Sequence, residues 1–396
     1  MSAPPRATRR SEALARCLDP FPVDEFFEQH WEQQPLLISR DESARFEDLL
    51  SPAEIELLLC SGGLRYPAFR LVKAGSQISL GDYTKDVSWR PKPFGGMAEP
   101  EQVAAHFADG ATIVLQALHH NRLPVARFCR ELEQALGHPV QANSYYTPRA
   151  SQGFAVHHDT HDVFILQCAG EKRWLVYDPI LELPLKNQRW SRDLGRPGPV
   201  VMDVTLRAGD TLYLPRGWLH EALTSESDSL HLTVGVVLYA WIDAVREALD
   251  ACADDVEFRR SVQDAGELPA ELVSKLAAQL SPDAVSSRRR RRLIATRRPI
   301  LDGQLSEALA AADVDGETLL ERRDTVLAEL DGDTLRFDGK ELTFPEQSLD
   351  ELQAIVEAEQ PFRAADLPGD LDVDGRLVLL RRLIREGFVR RTAAAG

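Results

Sequence analysis

The order of hydrophobic and polar positions divides the chain into a helical start, a strand-rich middle and a mixed end. After Val23, apolar residues recur at helical spacing until the pattern ends at Pro35. Ser51, followed by a proline and then by Glu54 at the third helical position, predicts an N-capped helix. Residues 124–136 carry their apolar side chains on one face and predict another helix.

From residue 140 the pattern changes to short apolar runs separated by turn signals such as Ala169-Gly170. The predicted strands cover residues 140–146, 154–159, 163–168, 173–177, 200–206, 211–214 and 229–239. Many short strands at this spacing indicate a sandwich or a barrel. We expect a double-stranded β-helix, a jelly-roll barrel, because the candidate ligands described below come from one early and one late strand.

Strands disappear from the pattern after Trp241. Helical spacing covers residues 242–253 and 271–280 and is expected to continue over 302–330. Beyond residue 331 the chain predicts a hairpin that turns at Asp338-Gly339, two helices and a closing strand, which together favour a winged-helix-like domain. The predicted domains are an N-terminal segment that packs on the barrel, the catalytic barrel, a helical region and the winged-helix-like domain, at residues 1–99, 100–240, 241–330 and 331–396.

The composition is that of an ordinary globular protein, and it argues against several classes of function. The chain of 396 residues has a formal net charge of −16, which argues against a general binder of polyanions. Its five cysteines are dispersed and form no CxxC pair, as is typical of reduced cytosolic thiols. No apolar run approaches the ~18 residues of a membrane span, and the N-terminus lacks the apolar core of a secretory signal. We therefore expect a cytoplasmic protein without membrane association.

Three residues of the strand-rich region form a candidate metal site. His157 and Asp159 are two positions apart in a predicted strand, so they reach the same face while His158 points away. His220 follows a turn at residues 215–218, at the end of a later strand. An HxD sequence alone is common by chance, but two histidines and one carboxylate are the ligand set of non-haem Fe(II) oxygenases, which must leave coordination positions open.

Lys172 begins an apolar strand and shares one face of it with Trp174 and Val176. The simpler interpretation is a charge at a turn, because Glu171 and Arg173 flank it. Lysine is seldom buried without a partner, however. The alternative is a cation that pairs with a dicarboxylate ligand, since a buried ion pair is strong only when both charges are present.

The segment SYYTPRASQGFAVHHDTHDVFILQCAGEKRWLVYDP, with GDTLYLPRGWLHEA and SLHLTVGV, resembles the JmjC-type ribosomal oxygenases of the cupin superfamily. These are Fe(II)- and 2-oxoglutarate-dependent hydroxylases of ribosomal-protein side chains. The resemblance is closest over residues 100–240. It implies an α+β fold with a JmjC-type cupin barrel, a helical dimerisation region and a C-terminal winged-helix-like domain.

By this resemblance, His157, Asp159 and His220 bind iron and form the catalytic centre. Lys172 would pair with the distal carboxylate of 2-oxoglutarate, and O2 would be the second cosubstrate.

The resemblance also gives pocket-lining roles to three residues: Asn143, Tyr145 and Thr233. Gly235 stands where some relatives carry a serine, so no polar contact is assigned to this position. His161 and Asp162 follow the metal motif at positions that vary between relatives, and they receive no role.

Basic residues cluster in two places. The run Arg288–Arg292 is a candidate for contact with RNA, an acidic surface or a partner subunit, although a solvated helix face is the simpler interpretation. The expected recognition helix of the tail carries four arginines: Arg376, Arg381, Arg382 and Arg385. Acidic residues around this helix would repel phosphate. We therefore expect a structural or protein-docking role for the tail and no DNA binding.

Three functions follow for comparison. The first is an Fe(II)- and 2-oxoglutarate-dependent oxygenase, acting as a homodimer, that hydroxylates a histidine or arginine of a ribosomal protein. The second is a JmjC oxygenase that hydroxylates or demethylates another protein, a peptide or a small molecule. The third is a non-catalytic cupin scaffold, against which the intact HxD…H set and Lys172 argue. Fold and cofactor do not fix the substrate.

Overall fold

The computed structural model of the protein describes residues 11–61, 63–89, 92–151, 154–223, 226–262 and 269–392. Two compact units make up the chain, Met1–Leu238 and Tyr239–Gly396. Within the described ranges, no helix combines the length and the apolar character that crossing a bilayer requires.

The first unit contains helices before and between its strands. Its helices are α1 (Glu12–Leu18), α2 (Val23–Gln29), α3 (Pro52–Cys60), α4 (Pro100–Ala108), α5 (Leu118–Asn121) and α6 (Leu123–Leu136), with short 3-10 turns at Leu80–Asp82 and Arg192–Leu194. Its strands are β1 (Leu36–Ile38), β2 (Phe69–Lys73), β3 (Ser76–Gln77), β4 (Thr84–Trp89), β5 (Lys92–Ala98), β6 (Thr112–Leu115), β7 (Val140–Thr147), β8 (Asp162–Tyr177), β9 (Val200–Arg207), β10 (Thr211–Leu214), β11 (Leu219–Leu223) and β12 (Ser229–Val236).

Strand β8 organises this unit because it belongs to two sheets. Its first half pairs with β10 and β12 in a sheet of order β1-β10-β8-β12-β7-β6-β2-β3. Its second half pairs with β9 and β11. The change of partners occurs at Gly170, which has a positive φ of 64° and lies so close to β12 that an added Cβ would be 1.9 Å from the Asp228 carbonyl oxygen. Only glycine tolerates this combination.

The two halves of β8 enclose one apolar cluster and leave the other face of the larger sheet to the helices. Val163 and Ile165 of the first half pack with Trp174 and Val176 of the second. Phe164 and Leu166, which alternate with them, join the larger core formed with the helical segments. In α6 the predicted apolar face is buried, including Phe128 and Leu132 among others. The space between the two sheets is therefore where inward-facing polar residues meet.

In the first unit, some local predictions are confirmed and two are wrong. The capping box of α3 is present, with the Ser51 side chain accepting from the Glu54 N–H. The predicted turn at Ala169-Gly170 is wrong, because this glycine lies inside one continuous strand. The strand predicted over 154–159 is also wrong, since the chain there makes only an isolated bridge between His157 and His220.

The second unit begins with helices and ends with a mixed domain. Its helices are α7 (Trp241–Cys252), α8 (Ala270–Gln279), α9 (Pro282–Thr296), α10 (Gln304–Ala310), α11 (Leu349–Glu357) and α12 (Val373–Glu386), with 3-10 turns at Val256–Arg259, Ala311–Asp313, Glu346–Ser348 and Ala364–Asp366. Its strands are β13 (Leu320–Arg322), β14 (Ala328–Asp331), β15 (Thr334–Phe337), β16 (Lys340–Thr343) and β17 (Val389–Arg391). The predicted turn at Asp338-Gly339 is confirmed, with positive φ at both residues.

Continuous helical spacing over 302–330 is a wrong prediction. The helix ends at Ala310, and residues 320–322 and 328–331 are strands. Leu320 pairs with Arg391 at the far end of the chain, and Leu330 pairs with Leu335. Short apolar runs satisfy both a helical and a strand pattern, and here pairing with distant residues decides between them.

The basic clusters of this unit have partners within it. In α9, Arg291 pairs with Asp331 at 2.8 Å, and Arg292 pairs with Glu247 at 3.2 Å. On α12, Arg381 donates to the Val314 carbonyl at 2.8 Å, and Arg382 lies 4.5 Å from the centre of the Phe344 ring. These arginines therefore contribute to the packing of their own unit.

Candidate functional site

His157, Asp159 and His220 converge between the two sheets of the first unit. One ligand atom of each lies within 4.8 Å of those of the other two. The His220 Nε2 atom is 3.9 Å from the Asp159 Oδ2 atom. Backbone bonds fix the two segments, because His157 and His220 exchange N–H···O bonds of 3.1 and 2.8 Å. Sequence placed His220 after a strand, whereas it lies within the short strand β11.

Both imidazoles present the same nitrogen to the centre of this group. The Nδ1 atom of His157 lies 2.9 Å from the Ala155 carbonyl oxygen, and that of His220 lies 3.0 Å from the Trp218 carbonyl oxygen. A carbonyl can only accept, so each Nδ1 carries the proton and leaves the Nε2 lone pair free. Burial, with a contribution from His157, also lowers the pKa of His220 to about 4, which keeps that ring neutral.

Asp159 supplies the single negative charge of the group. Burial acts to raise its pKa, but the surrounding imidazoles, His161 foremost, outweigh it and hold the pKa below the ordinary value. Its backbone carbonyl accepts the Gly217 N–H at 3.1 Å, which ties it to the turn before β11. As predicted, His158 faces away, towards the Gln188 carbonyl oxygen at 3.2 Å.

Two imidazole nitrogens and one carboxylate, on one side of a common centre, fit a divalent first-row metal such as iron. The second-layer carbonyl acceptors on both rings are also those that metal-binding histidines require.

Lys172 lies at another part of the same cavity and is 4% exposed. Its face is shared with Trp174 and Val176, as the alternation predicted. The ammonium donates to the Thr147 hydroxyl at 3.0 Å. Among the described residues it forms no ion pair, and burial lowers its pKa to about 7. An ammonium with unused donors and no counter-ion fits a carboxylate ligand.

The other predicted pocket residues lie on one face of β7 and β12. Tyr145 and Thr233 line the cavity, and burial raises the pKa of Tyr145 to about 12, so its phenol stays protonated. Asn143 is directly opposite Thr233 in the ladder, and its side-chain oxygen accepts the Ala117 N–H at 2.9 Å. The structure thus brings Tyr145 and Thr233 to the cavity with Lys172, while Asn143 supports the adjacent backbone.

Gly235 is explained by its neighbour His161. A Cβ atom at Gly235 would lie 2.3 Å from the His161 Cδ2 atom. The imidazole therefore occupies the space that a serine side chain would need, and it lies 3.4 Å from the Gln141 amide. The departure from the serine of some relatives and the presence of His161 are two parts of one arrangement.

Two features of the site escaped the sequence analysis. His231, in β12, lines the cavity near Lys172. Asp162 is fully buried and accepts hydrogen bonds from the Tyr213 hydroxyl and from the Arg216 backbone. The side chain of Arg216 in turn pairs with Glu32 at 2.5 Å. Alternation with Thr233 gave a signal for His231, whereas nothing local connects Glu32 with Arg216.

Known proteins are similar to this chain in sequence. Residues 114–243 match the JmjC domain family. The bifunctional lysine-specific demethylase and histidyl-hydroxylase NO66 of Drosophila persimilis is 34% identical over 224 residues, which are 56% of this chain and 31% of that protein. Ribosomal oxygenase 1 of Gallus gallus is 32% identical over 291 residues, 71% of this chain and 46% of the relative. Ribosomal oxygenase 2 of Rattus norvegicus is 32% identical over 281 residues, which are 66% of this chain and 57% of that protein.

Solved structures agree at the level of the fold. The Escherichia coli ribosomal oxygenase YcfD superposes with a TM-score of 0.56 at 18% identity, over 94% of this chain and 98% of that one. Another structure of YcfD contains cobalt and 2-oxoglutarate. This chain spans about a third to just over half the length of the curated relatives above. Its mixed helices and strands have the JmjC cupin-type fold, residues 114–243 match the JmjC domain model, and the chain is similar in sequence to the ribosomal oxygenases.

Proposed function

We propose that the protein is an Fe(II)- and 2-oxoglutarate-dependent oxygenase that hydroxylates a histidine or arginine side chain of a ribosomal protein. One observation carries this proposal: a cavity that joins a two-histidine, one-carboxylate group to a buried lysine for which the described part of the chain provides no counter-ion. The first feature suits a metal with open positions, and the second suits the far carboxylate of a 2-oxo diacid. The relatives named ribosomal oxygenase and histidyl-hydroxylase support the substrate class.

In this proposal His157, Asp159 and His220 hold the metal through two Nε2 atoms and one carboxylate. Bound iron, with 2-oxoglutarate and O2, supplies the oxidising power needed to hydroxylate a C–H bond. Lys172 binds the distal carboxylate and so fixes the position of the cosubstrate. Tyr145, which is half-buried and lines the cavity, helps to keep water out with a phenol that stays protonated. The protein's contribution is thus orientation and exclusion of water.

The metal assignment can be tested with purified protein, Fe(II), 2-oxoglutarate and O2. We expect succinate to form, and His157→Ala or Asp159→Ala to abolish both its formation and tight binding of Mn(II), because each change removes a ligand. His138→Phe, which alters a buried histidine stacked on Trp31, serves as the control. Undiminished succinate formation in both ligand variants would contradict the assignment.

The substrate can be tested by intact-mass analysis of ribosomal proteins from cells with and without this gene. We expect one ribosomal protein to lose the mass of one oxygen atom when the gene is absent. A second candidate is demethylation, supported by the name of the NO66 relatives, which includes lysine-specific demethylase. Unchanged ribosomal-protein masses, together with an accumulation of methylated lysine on another protein, would favour this second function.

We further propose that the two sheets sharing β8 form a double-stranded β-helix, and that the last part of the chain is a winged-helix-like domain. Support for the latter is one hydrophobic core that contains residues of α11, α12 and the small strands. Because this core also includes Ala311 and Leu320, we propose that the domain begins near residue 311 and that the helical region spans about 241–310.

A homodimer and a cytoplasmic location complete the proposal. In the helical region, large apolar side chains are exposed, including Trp241 at 63%, Leu305 at 85% and Leu309 at 84%, as is common where a partner binds. Unpaired cysteines suit a reducing compartment. Light scattering of the purified protein tests the dimer, and a monomeric mass at micromolar concentration would rule it out.

A further inference from the structure

His231 is a buried histidine whose ring is held in place but not hydrogen-bonded at Nδ1. It is 3% exposed and faces the cavity from the middle of β12. The ring of Tyr145 stacks on it at 5.0 Å and 15°, and the ring of Trp174 meets it edge-on at 5.4 Å. Among the described residues, its Nδ1 has no hydrogen-bond partner. Buried polar atoms nearly always have one, so the protein leaves part of the hydrogen-bonding capacity of this ring unused, at a position that lines the cavity.

The surroundings of His231 identify the charge of that ligand. Lys172 is close enough for its charge, after burial, to contribute to lowering the pKa of His231 well below the ordinary value. The imidazole is therefore neutral, with one N–H to donate. Thr147, which accepts from Lys172, is opposite Ser229 in the ladder, two residues from His231. An ammonium and a neutral imidazole that can donate its N–H line the same cavity, and together they favour an anionic ligand.

We propose that His231 is a second donor to the distal carboxylate of 2-oxoglutarate, next to Lys172. This inference rests on the proposed function. Lys172, in β8, supplies the positive charge. The His231 N–H, in β12, donates a hydrogen bond to the same carboxylate. Because Tyr145 and Trp174 fix the plane of the His231 ring, the direction of its N–H is set before the ligand binds. Binding therefore loses less side-chain entropy. His231 is thus a specificity residue that favours 2-oxo acids with a second carboxylate.

The test compares two ligands on Mn(II)-loaded protein by calorimetry. One ligand is 2-oxoglutarate, and the other is 2-oxobutyrate, which lacks the distal carboxylate. In His231→Phe, which keeps an aromatic ring between Tyr145 and Trp174, we expect the Kd for 2-oxoglutarate to rise about tenfold or more, as for loss of a charge-assisted hydrogen bond. The Kd for 2-oxobutyrate should stay the same. His231→Gln, which retains a donor, should recover part of the affinity.

The matched control is His138→Phe, in which a buried histidine stacked on Trp31 is replaced outside the cavity. It should change neither Kd. A measurement without any variant uses Zn(II)-loaded wild-type protein, where 2-oxoglutarate should shift the nitrogen and N–H resonances of the His231 ring strongly.

Equal weakening of both ligands in His231→Phe, or unchanged affinity for 2-oxoglutarate with an unshifted His231 resonance, would overturn the role of His231 and leave the proposed function intact. Failure of the wild-type protein to bind 2-oxoglutarate at all would overturn both. Should His231→Phe fail to fold, the resonance shift in the wild-type protein and the His231→Gln affinity decide the question.

Discussion

Among the buried cations of the first unit, Arg216 and Lys172 are treated in opposite ways. Arg216 is 7% exposed and Lys172 is 4% exposed. The guanidinium of Arg216 meets two carboxylates, that of Glu32 at 2.5 Å and that of Asp162 at 3.3 Å. The ammonium of Lys172 meets one hydroxyl, that of Thr147. The two side chains are therefore almost equally buried. They differ in whether carboxylates lie close to the charged group.

This difference separates a cation that the protein compensates from one that has no counter-ion among the described residues. A buried charge is costly unless an opposite charge and hydrogen bonds compensate for it. Arg216 is compensated by the protein itself, and its backbone N–H also donates to Asp162 at 3.2 Å. Lys172 is left uncompensated, and burial lowers its pKa to about 7. The fold thus retains a cost at Lys172 that a bound carboxylate would remove.

Removing the compensated cation should have the largest effect. Arg216→Met leaves the buried carboxylate of Asp162 without its guanidinium, so we expect the free energy of unfolding to fall by about 3–5 kcal/mol. Urea denaturation followed by tryptophan fluorescence measures this change. Because Gly217, the next residue, donates to the Asp159 carbonyl, metal affinity should fall as well.

The control for Arg216 is Arg173→Met. Arg173 makes a short ion pair with Asp203 at 2.6 Å, but on the surface, with side chains 51% and 46% exposed. Exposed pairs of this kind contribute little to stability, so this variant should unfold at nearly the wild-type urea concentration. Equal loss of stability in the two variants would show that burial does not distinguish these pairs.

Replacing the uncompensated cation should affect ligand binding and not folding. In Lys172→Met the unliganded protein should be as stable as the wild type or more stable, because an unpaired buried ammonium is removed. The affinity for 2-oxoglutarate should fall by about 2 kcal/mol or more, roughly thirtyfold in Kd. Thermal denaturation and calorimetry on the metal-loaded protein test the two halves of this prediction. Lys73→Met, at an exposed lysine paired with Asp109, should change neither quantity.

The contrast between these cations also shows what the sequence could predict. His157 and Asp159 are two residues apart, and Lys172 alternates with Trp174, so local spacing marked these residues as candidates. The resemblance to the JmjC-type ribosomal oxygenases, and not spacing alone, assigned them to one site. The pairing of Arg216 with Glu32 joins residues 184 positions apart. No local pattern encodes such a contact, because it depends on how the N-terminal segment packs on the sheet.

His231 and Gly170 show a second limit. A single histidine in the apolar run SLHLTV has the pattern of an ordinary core residue. Its alternation with Thr233 is a weak signal, and its position opposite Tyr145 in the ladder places it at the cavity. Gly170 suggested a turn, since glycine marks turns and close backbone contacts alike. Here the glycine marks a close backbone contact and not a turn, because its Cα lies next to the Asp228 carbonyl, just before β12. Both cases depend on neighbouring strands.

The smallest predicted effect is a pH dependence that only Lys172 should produce. Its pKa is about 7 in the folded protein and 10.5 ordinarily, so between these values the unfolded chain holds one more proton, and the contribution of Lys172 to the free energy of unfolding rises with pH. A bound carboxylate restores the ammonium, with neutral His231 beside it. Above pH 7, binding of 2-oxoglutarate should then take up a proton, and its affinity should fall by up to about tenfold per pH unit.

Calorimetry at pH 8.5 in two buffers of different ionisation enthalpy measures this proton uptake on metal-loaded protein. Lys172→Arg keeps the charge but does not titrate in this range, so its heats of binding should be free of the lysine contribution. Identical heats in both buffers for the wild type would mean that Lys172 is already charged before the ligand binds. The protein would then compensate for Lys172 as it does for Arg216, and the distinction between the two buried cations would fail.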